Sequence, residues 1–251
     1  MIKEERELQF REYMNTCTCR SKNEYIGLGN PYAKILLIGQ EPAQSGNADE
    51  HIKKNIDDIS ACLNNGDLHL LYRQSRFYED RKDKNGNRIL NRTWNAYQKL
   101  IDYIRPEGKK CMDPENTDFC MDAFTTELNN TVSLRQAQAH DRKLRIETLK
   151  KSEFIKGFPV IILACGPYIH NIEGDWQIDN TFDVTFDLPD GKHEYSRGMC
   201  FYTHHSPDRR RLVIHTRQLS QHSDELLSGM AKVIKDHFYE IGESFEAICY
   251  W

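Results

Sequence analysis

Three short polar clusters carry residue types that could do chemistry, and each directly follows an apolar run. Gly39-Gln40-Glu41-Pro42 closes the run Ala33 to Ile38. The glycine allows a tight turn and the proline stiffens the next step, which presents the Glu41 carboxylate at the strand end. A second cluster, Glu127 to His140, follows Phe119–Thr126 and contains Asn129, Asn130 and Arg135. Its two amides offer donor and acceptor together, although adjacent asparagines also form turns. The third, Thr203-His204-His205-Ser206-Pro207, leads into Asp208-Arg209-Arg210-Arg211. Gly166-Pro167 ends another apolar run, Phe158 to Cys165. Each cluster alone has a plain reading as a solvated loop or surface histidine pair. Their common position, each after a strand, is the informative feature.

The elements that must position them alternate between strand and helix. Residues 3–15 read as a charged leading helix, and 33–38 as a buried strand. Residues 49–64 carry Ile52, Ile56, Ile59 and Leu63 at helical spacing. Residues 94–104 and 144–155 are further helices, 119–126 and 158–166 further strands. Residues 183–187 and 199–203 are strand-like about a turn at Pro189-Asp190-Gly191, and Leu226 to Phe238 places an apolar stripe on a last helix. Arg209 to Ser220 is open between loop and strand. Apolar central strands alternating with helices indicate an α/β fold, doubly wound about a mainly parallel sheet. Ligands of such sheets bind outside the carboxyl ends of the strands, where the three clusters fall. No repeat or linker interrupts residues 1–251, so they are read as one domain, with 1–28 as leading helix and connector.

Composition narrows the class. The 251 residues hold 34 Lys+Arg against 38 Asp+Glu, a net charge of −4, which argues against a strong general nucleic-acid binder. No apolar run approaches the roughly 18 residues of a spanning helix. The charged start Met1 to Glu7 does not resemble a signal peptide, so a cytoplasmic chain with reduced thiols and no membrane partner is expected. The eight cysteines are scattered. Cys17, Cys19, Cys111 and Cys120 are the four that could hold an iron–sulfur cluster, but scattered thiols read as structural residues. No cofactor and no metal are expected.

Taken in order, the motifs resemble the uracil-DNA glycosylase superfamily. Gly39-Gln40-Glu41-Pro42-Ala43-Gln44 is similar to its Gly-Gln-Asp-Pro-Tyr-His motif. Gly29-Asn30-Pro31-Tyr32 resembles the lead-in of its iron–sulfur branches. Leu128 through Arg135, with Gln138-Ala139-His140, is similar to Leu-Leu-Asn-Thr-Val-Leu-Thr-Val-Arg followed by Gln-Ala-His. His204-His205-Ser206-Pro207 resembles His-Pro-Ser-Pro. The resemblance implies a three-layer α/β/α fold with a central, mainly parallel four-stranded sheet. It implies a monomeric enzyme that binds single- or double-stranded DNA, flips out uracil or a related damaged base and hydrolyses the N-glycosidic bond. In that scheme Glu41 orients or activates water, and Asn129 or Asn130 reads the base edge. His204 donates a hydrogen bond to the base carbonyl as it gains charge. Gly39, Gln40, Pro42, His205 and Ser206 line the pocket. Phe77 stacks on the base, with Tyr78 and Trp94 as alternatives. Arg135, Arg209, Arg210, Arg211, His215 and Arg217 contact DNA, and Leu212 wedges into the groove.

The departures bear on activity. Glu41 stands where the family has Asp or Asn, Ala43 replaces the Tyr that excludes a 5-methyl group, and His205 replaces a Pro. Ile214-His215-Thr216-Arg217-Gln218-Leu219-Ser220 is a rival for the last motif, with His204 preferred. The alternative function is a noncatalytic member of the fold that binds DNA, a nucleotide or a partner protein. Charge is unevenly spread: residues 73–92 hold seven basic against three acidic residues, and residues 135–151 hold six against two. With the arginines of 209–217, these stretches could form a phosphate-tracking rim.

Overall fold

The computed structural model describes residues 3–19, 24–40, 48–66, 68, 92–106, 118–129 and 139–245. Helix α1 (Lys3–Thr18) leads to β1 (Leu28–Gly29) and β2 (Ile35–Gly39), then α2 (Ala48–Asn64) and α3 (Arg92–Ile104). After β3 (Ala123–Glu127) come α4 (Ala139–Lys151), the short α5 (Glu153–Lys156) and β4 (Val160–Ala164). A small hairpin, β5 (Asn171–Ile172) and β6 (Asp175–Trp176), precedes α6 (Gln177–Phe182). The chain ends through β7 (Thr185–Phe186), β8 (Lys192–Tyr195), β9 (Met199–His205), β10 (Leu212–Thr216) and α7 (Asp224–Glu240).

The main sheet runs β1-β3-β2-β4-β10-β9-β7, with β8 also on β9. Its centre, β3-β2-β4-β10, is four parallel strands. Antiparallel β1 extends one side, and β9 with β7 and β8 extends the other. The fold is therefore mixed α/β around a mostly parallel sheet, larger than the four strands expected. Every residue of β2 and β4 is buried, as strands covered on both faces must be. Alternation sends Leu36 and Ile38 to one core with Phe10 of α1, Ile59 of α2, Leu149 of α4 and Phe182 of α6. Ile35 and Leu37 enter the other, with Leu100 of α3 and Met230 and Ile234 of α7.

Several elements differ from the sequence expectation: β1, β5, β6, α6 and β8 are additional, and the strand expected over 119–126 begins at Ala123. The single helix expected over 144–155 is broken at Ser152, whose hydroxyl accepts from the Ile155 amide at 3.3 Å and caps α5. Residues 209–220, open between loop and strand in the sequence, contain β10. Leu212, Val213 and Ile214 are fully buried there, between β4 and β9.

One buried cation ties the first helix to the sheet. Arg145 of α4 is fully buried. It donates to Glu24 Oε2 at 2.9 Å, the Tyr13 hydroxyl at 2.8 Å, the Tyr25 carbonyl at 2.9 Å, Thr126 Oγ1 at 2.7 Å and the Glu127 carbonyl at 3.1 Å. Burial pulls against the guanidinium's charge, and the Glu24 carboxylate with the acceptors around it outweighs this, so the cation is held. Cys17 belongs to this face of the sheet, whereas Cys120 packs in the core on the other face. A cluster on Cys17, Cys19, Cys111 and Cys120 would need those two to meet; Cys111 lies outside the described residues. Among the described residues no helix is long and apolar enough to cross a membrane.

Candidate functional site

The register fixes which residues share the carboxyl end of the parallel strands. Gly39 pairs with Glu127, and the ladder continues past both strands. The Leu128 amide donates to the Gly39 carbonyl at 3.0 Å and the Asn129 amide to the Gln40 carbonyl at 2.9 Å. On the other side of β2, Gln40 Nε2 donates to the Cys165 carbonyl at 3.1 Å. The next carbonyl, Gly166, accepts from His215 Nε2 at 2.8 Å. A carbonyl only accepts, so the His215 proton sits on Nε2 and leaves Nδ1 as the acceptor of a neutral ring. Gly166 adopts φ +56, and a Cβ there would lie 3.4 Å from Gln40 Nε2 and 3.9 Å from the Arg217 Cα. Gln40, Asn129, Gly166, His215 and Arg217 thus gather where β3 and β4 diverge on either side of β2. In a doubly wound sheet this is the binding crevice.

Asn129 is the unusual member. It is 1% exposed, and neither its Oδ1 nor its Nδ2 has a hydrogen-bond partner among the described residues. Leaving such atoms unpaired costs about 1–3 kcal/mol each. A buried amide at a binding crevice that satisfies neither of its own atoms is arranged for something else to satisfy them. Glu127 was not singled out in the sequence, yet its half-buried carboxylate lies across Gly39 at the same end. Only the strand pairing brings those two together. Arg142, in the first turn of α4, stacks at 4.6 Å over the Tyr168 ring just beyond Gly166. Together with the exposed Arg217, which reaches Gln221 Oε1 at 2.9 Å, it places positive charge beside the crevice.

His204 lies on the same face as His215 but further toward the amino end, and the reason is topological. Because β9 runs antiparallel to β10, its last residues lie toward the amino end of the parallel strands. His205 faces Leu212 and His204 faces Val213, whereas His215 faces Tyr202. His204 is therefore two pairs further from the crevice end than His215. Its side chain is 1% exposed and held by Asp179 Oδ1, 2.9 Å from Nδ1, with its Nε2 unpartnered. His205 turns to the opposite face, where Asp187 Oδ2 is 2.7 Å from its Nδ1. Ser206 clamps the β9–β10 turn, donating to Asp208 Oδ1 at 2.6 Å and accepting from the Arg211 amide at 2.9 Å.

The expected phosphate grip is the same turn, at the amino end. Arg211 is a strut, donating to the Lys156 carbonyl at 2.8 Å and the Phe182 carbonyl at 2.7 Å. Arg209, at φ +54, lies 3.7 Å from Glu240, and the Arg210 side chain is exposed. Leu212, expected as a wedge, is a core residue because β10 needs it between two strands. Trp94 packs edge-on against Phe119, with ring centroids 5.2 Å apart. Glu41, Pro42, Phe77, Tyr78, Asn130 and Arg135 lie outside the described residues. Among the described residues no group of three or more His, Cys, Asp or Glu side chains is gathered for a metal ion.

Burial sets the charge state of the histidines. His215 and His204 are both pulled below the ordinary imidazole range by desolvation; the Gly166 carbonyl partly offsets this for the first and Asp179 for the second. Burial also lowers His51, His193 and His237. In the folded chain these rings stay neutral at a pH where the unfolded chain, near 6.5 for an ordinary imidazole, already binds protons. Their stabilising contribution is whole above about pH 6.5 and erodes as pH falls below it. The melting temperature is therefore expected to drop between pH 7.5 and 5. His237→Leu, remote from the crevice, should flatten that drop. An unchanged pH slope in the variant would show that His237 is not pulled low.

The fold and the crevice thus define an α/β protein whose polar groups converge at the carboxyl end of a parallel sheet. Compared with known proteins, the chain matches no family model and no curated sequence.

Proposed function

We propose that the chain is a DNA glycosylase-like hydrolase that takes a flipped uracil or related deaminated base into this crevice and hydrolyses its N-glycosidic bond. The observation that carries the reading is Asn129, buried at the switch point of the sheet with both amide atoms unpaired among the described residues. The resemblance of the motifs to the uracil-DNA glycosylase superfamily supports it. Leu128-Asn129 opens the block that closes with Arg135 and Gln138-Ala139-His140, so Asn129 is taken as the reader over Asn130.

The chemistry follows from what each group can do. An amide donates from Nδ2 and accepts at Oδ1, matching the adjacent carbonyl and N–H that deaminated bases present on one edge. As the glycosidic bond breaks, its electron pair passes to the base, and a donor near a base carbonyl stabilises the charge that gathers there. We assign this donor to His215 rather than His204, since His215 stands at the crevice end of β10; to donate to the base, its Nε2–H must leave the Gly166 carbonyl. Gln40 braces the floor through the Cys165 carbonyl. Glu41 is retained as the carboxylate that orients water. Arg142 and Arg217 are assigned to phosphates, with a salt-sensitive contribution to affinity.

One observation favours a second reading, a binder without catalysis: the His215 N–H is already committed to Gly166. Incubating the protein with single- and double-stranded oligonucleotides containing uracil, hypoxanthine or xanthine, then cleaving abasic sites with alkali, separates the two. Strand cleavage on one of these substrates, lost in His215→Ala and retained in Arg210→Ala, is expected. Binding without cleavage selects the second reading. Neither binding nor cleavage on any substrate removes both.

A further inference from the structure

We propose that Glu127 is a second carboxylate of the crevice, facing the sugar of the bound nucleotide while Asn129 holds the base. This rests on the glycosylase reading and adds a residue that the motifs did not supply. Its first support is the space made for the carboxylate. A Cβ built on Gly39 would lie 2.2 Å from Glu127 Oε2, 2.9 Å from its Cδ and 3.0 Å from Oε1. The carboxyl group therefore lies flat across the Gly39 backbone. Gly39 is not one of the glycines with positive φ, so it is needed here for room and not for conformation. The glycine at the end of β2 and the carboxylate at the end of β3 are a fitted pair.

The second support is how firmly the segment is held. Glu127 pairs with Gly39, its carbonyl accepts from Arg145 Nε at 3.1 Å, and Leu128 and Asn129 are bonded to Gly39 and Gln40. One rigid three-residue stretch thus carries both the carboxylate and the unpaired amide. Two residues of extended chain span about 6–7 Å, comparable to the distance from the pairing edge of a pyrimidine to its sugar. The third support is position. The charge of Glu127 reaches Cys165 at the end of β4, where, after burial, it is a further cause of the raised thiol pKa. The carboxylate stands over the switch point.

A charge in that place suits the step the site would perform. The C1′–N bond breaks with both electrons going to the base, and positive charge is left shared between C1′ and the ring oxygen. A fixed carboxylate beside the sugar stabilises that cation and needs no reorganisation as it forms. The oxygen of a water then bonds to C1′, and its proton passes by way of a crevice carboxylate to the base anion. The products are an abasic sugar and a neutral base.

The test compares two abasic oligonucleotides with free uracil present, one carrying a cationic pyrrolidine in place of the sugar and the other a neutral tetrahydrofuran. By fluorescence anisotropy the natural chain is expected to prefer the cation by about tenfold or more, the scale of one charge-assisted contact. Glu127→Gln, which keeps the shape, should lose that preference while retaining affinity for the neutral analogue. Gly39→Ala, which displaces the carboxylate without removing it, should weaken the preference too. Arg210→Ala, at the other end of the sheet, should keep it. A preference that survives Glu127→Gln in a folded variant, checked by circular dichroism, overturns the role of Glu127 and leaves the glycosylase reading standing. A natural chain that binds neither analogue and releases no base overturns that reading, and the role of Glu127 with it.

Discussion

Replacing Asn129 with leucine is expected to make the protein more stable and unable to process a base. The two side chains share the same branched skeleton of four heavy atoms, and Asn129 is 1% exposed with both amide atoms unpaired among the described residues. Exchanging them removes two buried polar atoms that no described residue satisfies, which at about 1–3 kcal/mol each should raise the free energy of unfolding. Most buried asparagines behave in the opposite way, because their partners are orphaned by the change. Release of the base should meanwhile fall roughly 100-fold or more, the usual cost of removing a donor from developing charge. Asn129→Asp should lose activity as well, since a carboxylate accepts but does not donate. Urea denaturation and base release measured on the same preparations check both halves. A leucine variant that is less stable would mean that Asn129 serves the fold.

The second large effect is expected at Arg145. Its guanidinium meets an acid, two hydroxyls and two carbonyls from α1, the connector before β1, and β3. Arg145→Leu takes away the guanidinium that lies 2.9 Å from the Glu24 carboxylate, which is buried at 3% exposure. Breaking a buried pair from one side costs about 3–5 kcal/mol, a large part of the stability of most domains. Arg145→Lys should recover little, since one ammonium has three donors and cannot reproduce the planar fork. Adding Glu24→Leu to Arg145→Leu should restore part of the loss, because the orphaned charge goes with it. Chemical denaturation of the three variants tests this; equal stability of the single and double variants would show that Glu24 does not pay for the missing cation. Because Arg145 also holds the Glu127 carbonyl, milder changes there should disturb the crevice before they unfold the chain.

Much of this architecture can be read from the residues. The apolar runs of β2 and β4 and the stripe of α7 are dense, local signals, and the polar clusters read after strands put Gln40 and Asn129 at the carboxyl end of the sheet, where the structure has them. What could not be read was nonlocal. Leu212-Val213-Ile214 is only three apolar residues between an arginine triplet and His-Thr-Arg, so its strand character comes from the gap between β4 and β9 that it fills. Once β10 is a strand, β9 must run antiparallel to it, which moves His204 away from the crevice and leaves His215 at it. The same turn takes Arg209, Arg210 and Arg211 to the amino end, so a basic stretch that looks like a DNA grip in sequence partly braces α5 and α6. Glu127 escaped notice for the matching reason: its partner is a glycine 88 positions earlier, joined to it only by the register of two strands.

If Asn129 reads a base, its own side chain must respond when one arrives. The side-chain amide resonance of Asn129, assigned by its disappearance in Asn129→Asp, is the most direct probe. Titrating the labelled protein with a tetrahydrofuran-containing oligonucleotide and free uracil should shift that resonance and the Nδ1 of His215, while the ring of His205 on the opposite face stays still. An Asn129 amide that does not move while the oligonucleotide is bound would contradict the assignment of this crevice as the base site.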